Sequence, residues 1–271
     1  MFTKTTGFWI VPLWLTSMAW LIAHDVLPTL TAGDPPRVTP SDWRAPGVRE
    51  TQFAVYLDHD RIGTIWSKYR VDETSVQRND VVWIEQSPVP YIAPLRVTVD
   101  TVFTPDGWLD ELTVLLENSA TRKFKLHGER FHADFSFTFE MGSHDQAFKV
   151  PLSDGSLLTG GFNPFSRLAG IEVGQRWRVQ VFNPIAALTG LGPRFLSILV
   201  SVTRKETIAA PEGNRECLVV EAPNAKAWVD EQGDVVMQEM TLPVSGTMRF
   251  VREAEYDRQG ESWARNYSFR Q

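Results

Sequence analysis

The sequence predicts a mainly β protein, with a large curled antiparallel sheet of the half-barrel or open-barrel kind and one N-terminal transmembrane helix. Three observations lead to this expectation. An uncharged apolar run occupies residues 7–23. Short stretches that alternate between apolar and polar side chains then follow one another almost to the C-terminus. The regular alternation of strands and helices that parallel sheets require is missing, so the sheet should be antiparallel.

The apolar run is long enough to anchor the chain in a membrane, because about 17 to 20 helical residues cross the hydrocarbon core. Lys4 precedes the run and Asp25 follows it, which favours export of everything that comes after. A cleaved signal peptide is the alternative, but the end of the run lacks the small-residue cleavage pattern. We therefore expect a single-pass protein of the inner (cytoplasmic) membrane whose bulk is periplasmic. Its expected parts are a short cytoplasmic start (1–6), a transmembrane helix (7–27), a proline-rich linker (28–49) and an exported β domain (50–271).

The composition argues against nucleic-acid binding and against an intramolecular disulfide in the exported part. The net charge is −6, with both signs mixed along the chain, whereas a nucleic-acid-binding domain needs a basic face. The single cysteine, Cys217, excludes an intramolecular disulfide, and the alternation around it predicts a small buried hydrophobic side chain. The expected partners are the lipid bilayer and membrane protein subunits, with no nucleic acid.

Alternating stretches predict the strands, and the first two form a hairpin around Asp58 and Asp60. A later hairpin should turn at Gly233, where a glycine can adopt positive φ. A stretch at 130–140 predicts one strand with Phe131, Ala133, Phe135, Phe137 and Phe139 on a single face. The predicted strands cover residues 53–58, 61–70, 80–86, 95–104, 108–117, 122–127, 130–140, 173–182, 194–205, 215–222, 225–230, 234–240 and 247–254.

Two apolar segments, 157–170 and 184–199, interrupt this series, and the first carries helix and turn signals. They are either ordinary core and turns or a face that meets the membrane and its embedded proteins. The predicted span is also unusually rich in tryptophan, which suits packing on another helix. The candidate membrane or partner contacts are Trp9, Trp14 and Trp20 in the span, His24 at its exit, Trp43 in the linker, and Phe162, Phe165, Arg167, Arg194 and Phe195 in the apolar segments.

The sequence shows no constellation that indicates catalysis. The histidines are scattered, and no pair of histidines or cysteines has metal-ligand spacing. Acidic pairs such as Asp58 and Asp60, or Asp230 and Glu231, flank turns and are expected to be solvated. We therefore expect no catalytic residues, no cofactor and no metal, and we expect that the protein is not an enzyme.

Four segments in the same order carry a family resemblance: Tyr56-Leu-Asp with Arg61-Ile-Gly, Gly174-Gln-Arg-Trp, Cys217-Leu-Val-Val, and Lys226-Ala-Trp-Val-Asp-Glu-Gln-Gly. Together they resemble uncharacterised exported bacterial β-sheet proteins of the DUF3108 and lipoprotein-carrier types. This resemblance implies a curled antiparallel sheet and an apolar groove for acyl chains. A retained membrane span would distinguish this chain from carriers that shuttle freely.

Two functions follow from these features. The first is a non-catalytic, membrane-anchored accessory subunit that stabilises a membrane protein complex from its periplasmic face. One version of it is an extrinsic subunit of a bacterial reaction-centre and light-harvesting assembly. The alternative is a tethered periplasmic carrier module that binds a lipid or a lipoprotein on the apolar face of its sheet.

Overall fold

Fifteen strands and one helix form the part of the chain that the computed structural model describes. This part comprises Gly33, Pro36 and residues 47–72, 74–86, 94–104, 109–118, 123–132, 134–142, 144–151, 158–159, 167–182, 195–242 and 246–269. The strands are β1 (Gly47–Leu57), β2 (Asp60–Val71), β3 (Val76–Ile84), β4 (Leu95–Phe103), β5 (Leu109–Asn118), β6 (Phe124–Phe131), β7 (Asp134–Met141), β8 (His144–Pro151), β9 (Leu158–Thr159), β10 (Arg176–Phe182), β11 (Phe195–Ala210), β12 (Gly213–Ala222), β13 (Ala225–Val229), β14 (Val235–Leu242) and β15 (Gly246–Arg252), and the helix is α1 (Arg258–Asn266).

All fifteen strands belong to a single sheet, in the order β8-β7-β6-β5-β4-β3-β2-β1-β15-β14-β13-β12-β11-β10-β9. The first and last strands along the chain, β1 and β15, pair with each other at the centre of the sheet. From each of them a meander of strands extends to one edge. Every ladder is antiparallel except the short one between β9 and β10. The described strands therefore form one large antiparallel sheet that is not closed into a barrel, and the predicted mainly β class is confirmed.

The predicted strand over 130–140 is wrong in one respect. It is two strands, because β6 ends at Phe131 and β7 begins at Asp134. His132 adopts a φ of 58° at this point, which reverses the chain. Phe135, Phe137 and Phe139 lie together in the core as predicted, whereas Phe131 is 62% exposed. Neither β8 nor α1 was predicted from the sequence.

The inner face of the sheet is the face that carries Val55 and Val82, and it holds two apolar clusters. The inner core consists of side chains from β1–β4 and β10–β15 together with Leu168 and Ile171. The aromatic core lies on β2–β7 and includes Phe103, Phe135, Phe137 and Phe139. Both clusters lie on one face, because the cross-strand register joins each of their strands to the next.

The helix α1 covers the opposite, outer face of β2 and β3. Its Ala264 packs with Trp66, Val81 and Trp83 of these two strands. Asp257 caps the first turn by accepting hydrogen bonds from the backbone N–H groups of Gln259 and Gly260. At the other end, the guanidinium of Arg96 donates to the carbonyl oxygens of Ala264, Arg265 and Tyr267. Because α1 is in place, β2 and β3 are buried on both faces.

Glu261 of α1 lies at the centre of the polar contacts that hold the helix on the sheet. Its carboxylate pairs with Lys68 and with Arg265, and the hydroxyl of Tyr256 donates to it at 2.9 Å. Burial alone raises the pKa of this carboxyl, but the hydrogen bonds from Lys68, Arg265 and Tyr256 outweigh burial and hold the pKa below its usual value. Burial, together with the hydrogen bond to Glu261, also raises the pKa of Tyr256.

None of the helical segments in the described part of the chain is both long and apolar enough to span a bilayer. The predicted transmembrane helix at 7–27 lies outside the described residues. The strand β1 begins at Gly47, which is inside the predicted linker.

We expect Glu261→Gln to lower the free energy of unfolding at pH 7 by about 1–3 kcal/mol, because a buried charge-paired acceptor is lost. A carboxyl whose pKa is lowered in the folded state stabilises above its unfolded pKa, and it loses this contribution as the pH falls through the folded value. The difference from the wild type should therefore shrink below about pH 4.5. Urea unfolding at several pH values measures it. Glu255→Gln, at an exposed position nearby, is the matched control, and a difference that persists unchanged to pH 3 would contradict the assignment.

Candidate functional site

Most of the predicted contact residues lie outside the described residues: Trp9, Trp14, Trp20, His24, Trp43, Phe162, Phe165 and Arg194. The backbone of Phe195 begins β11. Arg167 is described, and it is only 6% exposed. Its guanidinium pairs with the carboxylate of Asp234 at 2.6 Å, so within this chain Arg167 serves an internal ion pair.

The turn between β13 and β14 is organised by Asp230. One carboxylate oxygen of Asp230 accepts hydrogen bonds from the backbone N–H groups of Gln232 and Asp234, and the other accepts one from Arg215 at 3.0 Å. Gly233 completes the turn with a φ of +82°. The predicted hairpin and the positive φ of Gly233 are confirmed, but Asp230 is 4% exposed and is not the solvated turn acid that the sequence suggested.

This turn fixes the chain segment at 167–171, which we call the rim segment. The backbone N–H of Leu168 donates to the carbonyl of Gly233 at 2.9 Å. Arg167 forms an isolated antiparallel bridge with Asp234, in addition to their ion pair. The backbone of Ala169 comes so close that a Cβ on Gly233 would lie 2.7 Å from its Cα. Leu168 and Ile171 thereby enter the inner core.

A cavity of about 410 Å³ lies beside the rim segment, and we call it the rim cavity. One wall is the loop that leads into β10, where the N–H of Gly174 bonds to the carbonyl of Val202. Another wall is Gly33, whose N–H donates to the carbonyl of Arg176 at 2.8 Å. The lining residues are Gly33, Pro36, Ala169, Gly170 and residues 174–177.

The residues that line the rim cavity include one buried aromatic residue and one exposed arginine. Trp177 is 2% exposed and belongs to the inner core, whereas the neighbouring Arg176 is exposed. Gly170 and Gly174 both have positive φ, and a Cβ on either one would meet no atom within 4 Å. The absence of side chains at these glycines leaves the space open. A cavity lined by a buried aromatic residue and an exposed arginine suits an amphipathic ligand with an anionic end.

A second, larger opening of about 900 Å³ lies between β1 and residues 253–259 at the start of α1. Its side chains are polar and mostly engaged with one another. Arg61 pairs with Glu253 at 3.0 Å, and Arg258 pairs with Glu50 at 2.8 Å. The amide of Gln52 donates to Glu253. No residue that lines this opening belongs to the inner core, whereas Trp177 lines the rim cavity, so the rim cavity is the better candidate for a ligand site.

The inner face also buries a charged pair between the two cores. The guanidinium of Arg78 donates two hydrogen bonds to the carboxylate of Asp80, at 2.6 and 2.9 Å. The same guanidinium lies 5.3 Å from the ring centre of Tyr69. Burial raises the pKa of Tyr69 to about 12, with Asp80 and Asp234 adding to the shift and Arg78 and Arg167 opposing it. The tyrosine therefore stays neutral, and these charges have a structural role in the sheet.

The remaining polar candidates do not converge on a reactive centre. His127 lies on the outer face, between Thr113 and Glu129 at 2.9 Å from each. Cys217 is 2% exposed, and burial raises the pKa of its thiol to about 11, so its predicted role as a buried hydrophobic side chain is confirmed. In the described ranges, no group of three or more histidine, cysteine, aspartate and glutamate side chains could hold a metal ion.

Sequence reasoning missed the rim cavity, although it had identified two of the segments that form it. The Gly174-Gln-Arg-Trp segment lines the cavity. The Trp-Val-Asp-Glu-Gln-Gly segment forms the turn whose Gly233 carbonyl accepts a hydrogen bond from the rim segment. The closely spaced glycines at 170 and 174, just before an alternating strand, were the available signal.

The sequence matches no family model and no curated protein. Solved structures show a distant likeness. One is a beta-barrel-like protein of the domain of unknown function DUF1849 from Brucella abortus, 10% identical, with 79% of this chain and 99% of that chain covered and a TM-score of 0.48. Another is a DUF1089 family protein from Pseudomonas aeruginosa, 17% identical, with 72% and 90% covered and a TM-score of 0.35. These values are too low to place the chain in either family.

We expect Gly233→Ala to destabilise the protein in two ways. A side chain at positive φ costs about 1–2 kcal/mol, and the contact with the backbone of Ala169 should add about 1–3 kcal/mol. Gly213→Ala is the matched control, because Gly213 also has positive φ but a Cβ there meets nothing within 4 Å. Urea unfolding followed by tryptophan fluorescence gives both values. An equal loss of unfolding free energy in the two variants would show that the close contact with Ala169 adds no cost at Gly233.

Proposed function

We propose that the protein is a non-catalytic binding module that holds an acyl chain with an anionic end in the rim cavity. In this function it acts as a tethered, carrier-like module of the cell envelope. The observation that supports the proposal most directly is the rim cavity itself, whose lining includes both the buried Trp177 and the exposed Arg176. The carrier function that was the alternative from sequence is thus the one with a site to support it.

The position of the rim cavity suits an apolar ligand. Leu168 and Ile171 flank the residues that line it, and both belong to the inner core, as does Trp177. An acyl chain entering past Gly170 and Gly174 would meet apolar side chains and would need no polar partner inside. A carboxylate or phosphate at the mouth could then pair with the guanidinium of Arg176.

The accessory-subunit hypothesis has less support. Apart from Phe195, which begins β11, its candidate contacts are outside the described residues or, for Arg167, engaged inside the chain. Neither the described residues nor the similar structures favour the photosynthetic version. The membrane anchor, the periplasmic location and the lack of enzymatic activity remain predictions from the sequence.

The test is photo-crosslinking of the full chain, in mild detergent, with a long-chain fatty acid that carries a diazirine. We expect labelled peptides to map to residues 167–177. Ala169→Trp should fill the cavity and reduce labelling about ten-fold or more. Arg176→Gln should reduce labelling by the acid by roughly two- to five-fold, the effect of one exposed ion pair, and should leave labelling by the methyl ester unchanged.

Arg178→Gln is the matched control, because Arg178 is exposed on the same strand but does not line the rim cavity. Thermal melting of each variant checks that it is folded. Labelling spread over the sheet and unaffected by Ala169→Trp would refute the proposal. Equal labelling by the acid and by the ester in all variants would show that the ligand needs no anionic end, and this part of the proposal would be refuted.

A further inference from the structure

The two ends of the sheet differ in how their edges are covered. At one end, the outer edge of β10 is paired by the chain itself, through β9 and through the bridge from Gly33 to Trp177. At the other end, β8 is the last strand, and no described strand pairs with its outer edge. An edge of this kind offers backbone N–H and C=O groups to another strand.

The register of the β7–β8 hairpin shows which backbone groups β8 offers. Met141 pairs with His144 across a two-residue connection, and such a closing pair is hydrogen-bonded within the hairpin. By alternation, the N–H and C=O groups of Asp145, Ala147 and Lys149 point away from β7. The side chains of these three residues are exposed, whereas that of Phe148 packs against the aromatic core.

We propose that β8 pairs in antiparallel fashion with β8 of a second copy of this chain, about a twofold axis at Ala147. In this register Asp145 of each copy faces Lys149 of the other, so two ion pairs form across the interface. The same residues carry the outward backbone groups, which allows about six hydrogen bonds between the copies.

The arrangement of charge is specific to this pairing. A shift of the register by two residues places one of the two charged residues opposite Ala147. The other then lies opposite Ser143 or Pro151, so no opposite charges meet. Charged side chains usually protect an edge strand against association. Here their opposite signs, spaced symmetrically about Ala147, make the edge complementary to itself. On the inner face, the two Phe148 side chains would come into diagonal reach, about 7–8 Å apart, and extend the aromatic core across the interface.

The experiment is cysteine cross-linking of the full chain in native membranes with a short bismaleimide. Ala147→Cys should yield a species of twice the chain mass. Cys217 should not contribute, because it is buried and its thiol pKa is raised. Adding Lys149→Asp should reduce the cross-linked fraction by roughly ten-fold, since both ion pairs become repulsive. Adding Asp145→Lys as well restores both pairs with their signs exchanged, and cross-linking should return.

Glu212→Cys, at the exposed hairpin between β11 and β12, is the control for random collision. Circular dichroism of the purified variants confirms that each is folded. The proposal is overturned if Ala147→Cys cross-links no more than Glu212→Cys, if Lys149→Asp has no effect, or if the charge exchange fails to restore the product. Cross-linking of Ala147→Cys to a different protein would also overturn it.

Discussion

The hydrogen bonds of the Asp230 carboxylate are the interaction on which the candidate site depends. They close the turn between β13 and β14 and tie it to Arg215 of β12. The closed turn presents the carbonyl of Gly233 and the carboxylate of Asp234 to the rim segment. The rim segment in turn supplies Leu168 and Ile171 to the inner core and Ala169 and Gly170 to the rim cavity. Loss of the turn would therefore affect packing and cavity together.

The ion pair between Arg167 and Asp234 determines where the rim segment lies more than how stable it is. Removing two charges from water costs about as much as their attraction returns, so a buried pair adds little net stability. A pair that is broken on one side is costly, however, and this cost penalises any other placement of the segment. The adjacent backbone contacts at Leu168 and Gly233 also favour this placement of the rim segment. The cavity wall is thus specified by polar contacts and stabilised by the apolar side chains beside it.

Sequence periodicity predicted the strands well where one face of a strand packs on an apolar core and the other does not. The alternation over 95–104 and 173–182 corresponds to β4 and β10, because one side of each faces a core. It failed at 130–140, since apolar and polar residues alternate straight through the turn at His132. The helix α1 escaped prediction because its apolar residues match only a small patch around Trp66 and Trp83. The rim cavity was missed because the partners that form its wall, Arg167 and Asp234, are 67 residues apart along the chain, and only the nearby glycines at 170 and 174 hint at it.

A membrane span at the predicted position would lie near the cavity. Gly33 lines the rim cavity and lies six residues beyond the expected end of the span at residue 27. Six extended residues reach at most about 22 Å, so a retained span would hold the mouth of the cavity close to the outer surface of the inner membrane. An acyl ligand of the proposed kind would then exchange over a short distance between the bilayer and the rim cavity. A cleaved chain would lose this proximity while keeping the cavity. Under the proposed function, a retained tether would decide where a ligand is collected, and the Asp230 turn would decide whether it can be held.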